Sequence, residues 1–196
     1  MSALPTMGYL SRTIRPHLLA EHAQQFDAMV LETAILKLGL PKDLSEESVA
    51  ILQLSIRLGG FGLRSIVQTS PAAYFSAVAE TVPDILGIIP ADQVQSTLIE
   101  EKSRTTTANA IQSCLDSFQE SGLVLGQAPV PHNLTEFWGN FSSPTPGPRL
   151  QSAVCSLLES ITLEHTKNHL PLHDNQRLIE CSRKVCWSLA PSTHLY

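Results

Sequence analysis

The stretch Gln53-Leu54-Ser55-Ile56-Arg57-Leu58-Gly59-Gly60-Phe61-Gly62-Leu63-Arg64-Ser65 decides how the chain folds back on itself. Its three glycines fall within four consecutive positions, between an apolar run with an arginine and a segment that is predicted to be helical. Because glycine tolerates positive φ and lets two backbones approach closely, such a cluster predicts a sharp, tightly packed turn. We interpret Gly59, Gly60 and Gly62 as a packing corner, called the glycine corner below. There the helix that ends near Leu54 folds close to the helix that begins after Leu63.

The glycine corner lacks the features of a nucleotide-binding loop, because no Lys-Ser or Lys-Thr pair follows it and no strand is predicted before it. The neighbouring carboxylates Glu46-Glu47 and Glu100-Glu101 point apart on a helix, so they are poor acid–base partners. No Gly-x-Ser-x-Gly motif occurs that would hold a nucleophilic serine. We therefore expect no catalytic residue, no cofactor and no enzymatic activity.

Apolar residues recur every three or four positions on both sides of the glycine corner, which is typical of amphipathic helices. The clearest stripes are Leu19-Ala23-Phe26-Val30-Ala34-Leu38, Ala108-Ile111-Leu115-Phe118 and Leu150-Val154-Leu157-Leu158-Ile161. Ser45 before two glutamates predicts the start of a helix that buries Val49, Leu52 and Ile56, and Asp174 predicts the cap of a last helix. No segment shows the alternation of a strand. The sequence predicts a mostly α fold, an irregular bundle of about six to eight helices.

Proline positions divide the rest of the chain. Pro71 predicts a break or a bend in the helix after the glycine corner, and residues 83–90 are expected to form a buried apolar connector. Residues 122–148 carry five prolines and four glycines, which predicts a loop that Phe137 and Trp138 anchor. We divide the chain into a helical body at 1–121, a Pro/Gly-rich linker or ordered loop at 122–148 and a C-terminal helical segment at 149–196 that packs on the body as one domain.

Composition limits the partners and the compartment. The formal net charge is -5, whereas a self-sufficient nucleic-acid binder normally carries an excess of basic residues. The four cysteines are not tightly paired and no secretory signal precedes them, so we expect reduced thiols and an intracellular protein of the cytoplasm or nucleus. No run approaches the roughly 18 apolar residues that a membrane span needs, so we expect no membrane contact.

Histidines recur at every fourth position from His165 to His173, and Cys181 and Cys186 follow. On an unbroken helix this spacing would align the imidazole rings, and imidazole and thiolate are the ligands that zinc prefers. Pro171 interrupts the series, however, and the spacing forms no usual zinc knuckle. We therefore expect no metal, with His165, His169, Cys181 and Cys186 as the only candidates for ligands.

Four blocks of sequence, in order, span most of the chain. They are Tyr9-Leu10-Ser11-Arg12-Thr13-Ile14-Arg15-Pro16; Phe26-Asp27-Ala28-Met29-Val30; Leu54 to Ser65 followed by Pro71-Ala72-Ala73-Tyr74; and Arg177-Leu178-Ile179-Glu180-Cys181-Ser182 followed by Trp187-Ser188-Leu189-Ala190-Pro191. Together they resemble the region just downstream of the polymerase core in non-LTR retroelement reverse-transcriptase polyproteins. The glycine-rich string of that family near the last block is replaced here by residues 182–186, and no Asp-Asp pair of a polymerase palm occurs.

The resemblance implies an accessory helical region, similar to a thumb or connector, and not a catalyst. In such a region basic side chains would contact phosphates of a template-primer duplex, and the candidates are Arg12, Arg15, Arg57 and Arg64. Alternatively, these arginines are solvated or pair with nearby acids such as Asp43, Glu46 and Glu47.

Two functions follow as predictions. The first is an accessory element that contacts nucleic acid within a larger polymerase assembly. The second is a structural or protein-interaction scaffold, or the subunit of a complex, that reuses the helical body. Both imply a protein partner or a larger assembly. An inert remnant of a transposon is a third possibility.

Overall fold

Helices make up most of the chain, in a computed structural model that describes residues 3–89, 107–142 and 149–182. The elements are α1 (Ala3–Thr13), α2 (Pro16–Leu38), α3 (Glu46–Gln53), a 3-10 turn (Ile56–Leu58), α4 (Ile66–Ile88), α5 (Thr107–Glu120), α6 (Leu134–Asn140), α7 (Leu150–His169) and α8 (Leu172–Ser182). No described residue lies in a strand. The prediction of a mostly α bundle is therefore confirmed. No helix in the described ranges is long and apolar enough to cross a membrane.

The chain forms two compact units, each of which combines segments that are distant in sequence. The first unit comprises Met1–Asp27 and Ile66–Leu158, and the second comprises Ala28–Ser65 and Glu159–Tyr196. The predicted division at 1–121, 122–148 and 149–196 follows chain order instead, and it stays a prediction.

Aromatic rings form the centre of the first unit. Phe75 on α4 makes edge-to-face contacts with Phe118 of α5 and with Phe137 and Phe141 at α6, with ring centroids 5.1–6.0 Å apart. Trp138 packs edge-on against Phe137 and is buried as well. Such ring pairs contribute about 0.5–1.5 kcal/mol each beyond the area that they bury. The prediction that Phe137 and Trp138 anchor their segment is confirmed.

A second cluster of the first unit holds α2 to α1 and α4. Leu19, Ala23 and Ile66 are buried there. Partly buried side chains of α1 and α2 pack against them: Met7, Leu10, Ile14 and Phe26. The stripe predicted for α2 is thus largely correct, although its last member, Leu38, is exposed.

Helix α4 continues through two prolines. Pro71 and Pro83 both lie inside it, so the predicted connector at 83–90 is wrong up to Ile88, which is exposed rather than buried. A proline in a helix interior costs about 3 kcal/mol. The residues after Pro71 offset this cost, because Ala72 to Ser76 are all buried and the Phe75 ring lies at the centre of the aromatic cluster. Tertiary packing therefore overrides the local signal for a break.

The segment predicted as a loop at 122–148 contains helix α6. Asn133 caps this helix, since its side-chain oxygen accepts a hydrogen bond from the Glu136 amide at 3.0 Å. The Glu136 carboxylate in turn accepts from the His132 amide at 2.8 Å. This reciprocal arrangement is a variant of the capping box, and the Asn-x-x-Glu spacing was the signal for it. Residues 143–148, like the start of the helix predicted from Asp92, lie outside the described residues.

In the second unit Ser45 caps α3 as predicted, because its hydroxyl accepts a hydrogen bond from the Ser48 amide. Leu52 is buried but Ile56, which we expected to extend the same stripe, is exposed in the 3-10 turn. Helix α8 begins at Leu172, so Asp174 lies within its first turn and is not its cap. The proline at 171 explains the earlier start, since it is favoured just before and at helix N-termini.

Candidate functional site

The glycine corner is built from backbone hydrogen bonds that fold residues 59–63 onto α3. The Gly60 amide donates to Ser55 O at 3.1 Å, the Gly62 amide to Leu54 O at 2.8 Å and the Leu63 amide to Leu52 O at 3.0 Å. Gly59 and Gly62 adopt left-handed conformations, with φ of 87° and 77°. Only glycine takes up this conformation readily.

Gly60 is the point of closest approach in the glycine corner. A Cβ atom at this position would lie 2.6 Å from Ile51 O and would collide with Leu54 O and Leu54 Cβ. The colliding atoms are mainly backbone, which cannot swing aside as a side chain can. This is the close approach that the packing-corner interpretation requires.

The glycine corner places two arginines on one carboxylate. Arg57 Nη2 lies 3.7 Å and Arg64 Nη2 lies 3.2 Å from the two carboxylate oxygens of Glu159, at the start of the second-unit part of α7. The Arg57 and Arg64 side chains are 61% and 54% exposed, whereas that of Glu159 is 12% exposed. We call Arg57 and Arg64, which share this carboxylate, the arginine pair.

The Glu159 carboxylate is unusual because neither oxygen touches solvent and neither accepts a well-formed hydrogen bond from the described residues. Both arginines lie within 4 Å of the carboxylate, which is close enough for an ion pair, but the 3.7 Å between Arg57 Nη2 and Glu159 is too long for a hydrogen bond. The carboxylate is therefore held by charge more than by directed bonds. A buried carboxylate is destabilising without a positive partner. Losing the arginine pair would therefore destabilise the fold more through Glu159 than losing Glu159 would through the exposed arginines.

The other two candidate arginines lie in the first unit. Arg12 donates to Glu80 at 2.6 Å and to Gln151 at 2.7 Å. Arg15 contacts the Tyr74 hydroxyl. Burial raises the pKa of Tyr74 above 10.0, and the neighbouring Arg15 charge opposes this shift.

Sequence reasoning did not identify the acids that pair with these arginines. We named Asp43, Glu46 and Glu47 as nearby acids, but the pairs are made by Glu80 and Glu159. Both lie far along the chain from their partners, and helices α4 and α7 bring them close. No local pattern signals such a contact.

The candidate metal ligands divide between two helices. The His165 and His169 rings stack on α7 with centroids 4.3 Å apart, while His173 lies on α8 beyond Pro171. Cys181 is exposed on α8, and Cys186 lies outside the described residues. Among the described residues no three histidines, cysteines or acids form a group that could hold a metal ion.

The Glu47 carboxylate lies in the first turn of α3, and the two stacked histidines have only a small electrostatic effect on it. The pKa of Glu47 lies below 4.5 because the carboxylate accepts hydrogen bonds from its own amide and from Ser45, and because His169 and His165 add smaller charge effects. Acids in the first turn of a helix are stabilised by the helix dipole as well.

The buried thiol in the first unit is poorly suited to nucleophilic chemistry. Burial raises the pKa of Cys114 to about 12. The thiolate is the reactive form of cysteine, so Cys114 is almost entirely protonated at neutral pH. Cys155 is also buried.

One polar contact that sequence reasoning missed joins two of the resemblance blocks. The Asp27 carboxylate on α2 accepts hydrogen bonds from the Ile66 amide at 2.8 Å and the Val67 amide at 3.1 Å. These are the first amides of α4, which have no partner within the helix. We quoted Phe26-Asp27 only as part of a resemblance, because an aspartate in the middle of one helix does not signal the cap of another.

Comparisons of the chain with protein-family models, with curated proteins and with solved structures each find no match. The resemblance to retroelement polyproteins therefore depends on the quoted blocks alone.

Proposed function

We propose that the chain is a non-catalytic helical domain of the kind that follows the polymerase core in non-LTR retroelements, and that its second unit contacts phosphate groups of nucleic acid. The observation that carries this proposal is the arginine pair. Arg57 and Arg64 are both more than half exposed, and both lie against the same buried carboxylate, that of Glu159.

The cluster is suited to a phosphate because its donors are already positioned. A guanidinium group offers five N–H donors in a planar fork that matches a phosphate. Two such groups lie within 4 Å of the Glu159 carboxylate, so their donors are presented side by side. An isolated surface arginine lacks this advantage.

The overall charge of -5 limits how tightly the chain alone would bind. Two phosphate contacts imply a slope of log K against log salt of about -1.4 for a single strand and about -1.8 for a duplex. We therefore expect weak, strongly salt-dependent binding, consistent with a subordinate element of a larger assembly.

The test is fluorescence anisotropy of labelled RNA and DNA, single-stranded and duplex, at 20 and 150 mM salt. The informative variant is R57Q/R64Q/E159Q, which removes the arginine pair without leaving a buried unpaired carboxylate. It lowers the net charge by one. K42Q is the matched control, since it lowers the charge equally at an exposed position of the second unit. We expect the triple variant to lose binding and K42Q to retain most of it.

E159Q tests the sign of the effect. It removes the negative charge that lies beside both guanidinium groups, so nucleic-acid binding should tighten. If the arginine pair only stabilises the fold, E159Q should lower the Tm and should not tighten binding. No binding of any probe at 20 mM salt would refute the proposed function.

A second candidate function, a protein-interaction scaffold, is favoured by exposed apolar side chains on the second-unit part of α2. Met29 and Leu36 are both exposed and are seven residues apart, which places them on one face of the helix. A partner helix would cover such a face. The test is whether a co-purifying protein binds at fixed stoichiometry and is lost in M29Q/L36Q while the Tm is unchanged.

A further inference from the structure

We infer that the second unit takes single-stranded nucleic acid in preference to duplex, with the Phe61 ring as the surface on which a base stacks. This inference depends on the proposed function, because it assumes that the arginine pair contacts phosphates. It adds the class of nucleic acid and the residue that selects it.

Phe61 is the aromatic residue of the glycine corner, and it is 54% exposed. The phenylalanines of the aromatic cluster in the first unit are all buried instead. A single exposed apolar side chain is ordinary on a protein surface. Phe61 differs because it lies within four residues of both arginines of the pair, and the three side chains are each more than half exposed.

The backbone under Phe61 is fixed on both sides. The Phe61 amide donates to Ile51 O at 3.3 Å, and the amides of Gly60 and Gly62 are also hydrogen-bonded. The Ile56 side chain lies against Gly62, 3.3 Å from the position that a Cβ would take there. The backbone that carries the ring is thus held by hydrogen bonds, which lowers the entropy that the turn loses on binding.

An exposed aromatic ring next to basic groups is the arrangement by which proteins bind single strands without sequence preference. The ring stacks on a base while the cations contact the neighbouring phosphates. In a duplex the base faces are covered by the adjacent base pairs, so only the phosphates remain available. The arginine pair alone would therefore accept either form, whereas Phe61 adds affinity only for the single strand.

The experiment compares a 12-nucleotide oligo(dT) with a 12-base-pair duplex, measured by anisotropy at 20 mM salt on the full chain. We expect the oligo(dT) to bind more tightly. F61L keeps an apolar side chain but removes the aromatic face, so it should weaken oligo(dT) binding about 5- to 150-fold. It should leave duplex binding unchanged.

F61W provides a second readout that does not depend on a loss of binding. Tryptophan stacks on bases at least as well as phenylalanine, so F61W should retain oligo(dT) binding. Its added fluorescence, measured against the wild-type chain, should be quenched by oligo(dT) and not by duplex.

Different results would refute the proposed function and the proposal that a base stacks on Phe61. If neither probe binds, the proposed function is refuted. If both bind equally and F61L matches the wild type, while R57Q/R64Q/E159Q loses both, the proposed function stands and base stacking is refuted. Binding of a 12-residue oligo-glutamate as tightly as oligo(dT), with the same dependence on Phe61, would also refute it, because the site would then take an acidic peptide.

Discussion

Replacing Gly60 by alanine is the sharpest test of the glycine corner. The added Cβ would lie 2.6 Å from Ile51 O and closer to Leu54, whereas real Cβ contacts are essentially never under 3.0 Å. The atoms in the way are mainly backbone atoms at the end of α3, so relief requires residues 59–63 to move away from that helix. Such a movement lengthens the hydrogen bonds from Gly60, Phe61, Gly62 and Leu63 to residues 51–55.

The magnitude follows from two opposing effects. Overpacking a close contact costs about 1–3 kcal/mol, and the upper end applies where backbone must shift. Alanine also restricts the unfolded chain, which offsets about 0.4–1 kcal/mol. The net loss of unfolding free energy is therefore about 2 kcal/mol, or about 4–8 °C in Tm for a chain of this size.

Thermal unfolding followed by circular dichroism measures this loss. The matched control is Gly8→Ala in α1, where a Cβ would meet nothing within 4 Å. That variant should be stabilised by about 0.5–1 kcal/mol, since glycine inside a helix is unfavourable relative to alanine. If Gly60→Ala melts at or above the wild-type temperature, the close approach at Gly60 is not a real constraint and the packing corner is refuted.

Three further predictions concern single side chains. Asp27→Ala should cost about 1–2 kcal/mol in chemical unfolding because the first amides of α4 lose their acceptor, and an equal stability would show that this cap is dispensable. Because the pKa of Glu47 is lowered in the folded chain, its ionised carboxylate stabilises the fold at pH values above the pKa of the unfolded chain, and this stability is lost as the pH falls through the folded pKa. The wild type should therefore lose stability relative to Glu47→Gln below about pH 4.5. Parallel pH profiles of the two proteins would contradict this. Cys114 should resist a thiol reagent at pH 8 in the folded chain while the exposed Cys181 reacts. Equal labelling of the two cysteines in peptide mass spectrometry would show that Cys114 is not buried in the way that raises its pKa.

Several features of the fold were predicted correctly because the residues that signal them are close together in sequence. The apolar stripe of α5, the serine cap of α3 and the anchoring of Phe137 and Trp138 depend on residues within a few positions of each other. Helix α6 was missed although its Asn-x-x-Glu capping signal is local, because the prolines and glycines around it predict a loop. A dense group of helix breakers does not exclude a helix of seven residues between them.

Contacts between distant residues could not be predicted. Helix α4 continues past Pro71 because the residues after it are buried and the Phe75 ring contacts rings of α5 and α6. Nothing near Pro71 in sequence signals those contacts. The same holds for Glu159, whose role depends on the glycine corner bringing two arginines to it. The sequence suggested Arg57 and Arg64 as candidates through a resemblance, but their shared carboxylate follows only from the fold.

The contact between Asp27 and the start of α4 also has a consequence for the order in which the chain assembles. Its two partners are 39 positions apart, so all of the intervening chain forms a loop that must close before α4 is capped. Closing a loop of this length costs about 3 kcal/mol in entropy. The hydrogen bonds of this cap are therefore expected to form later in folding than the local hydrogen bonds within α2 and α4. The Asp27 carboxylate thus ties the start of α4 to a residue that precedes the whole enclosed segment in the chain.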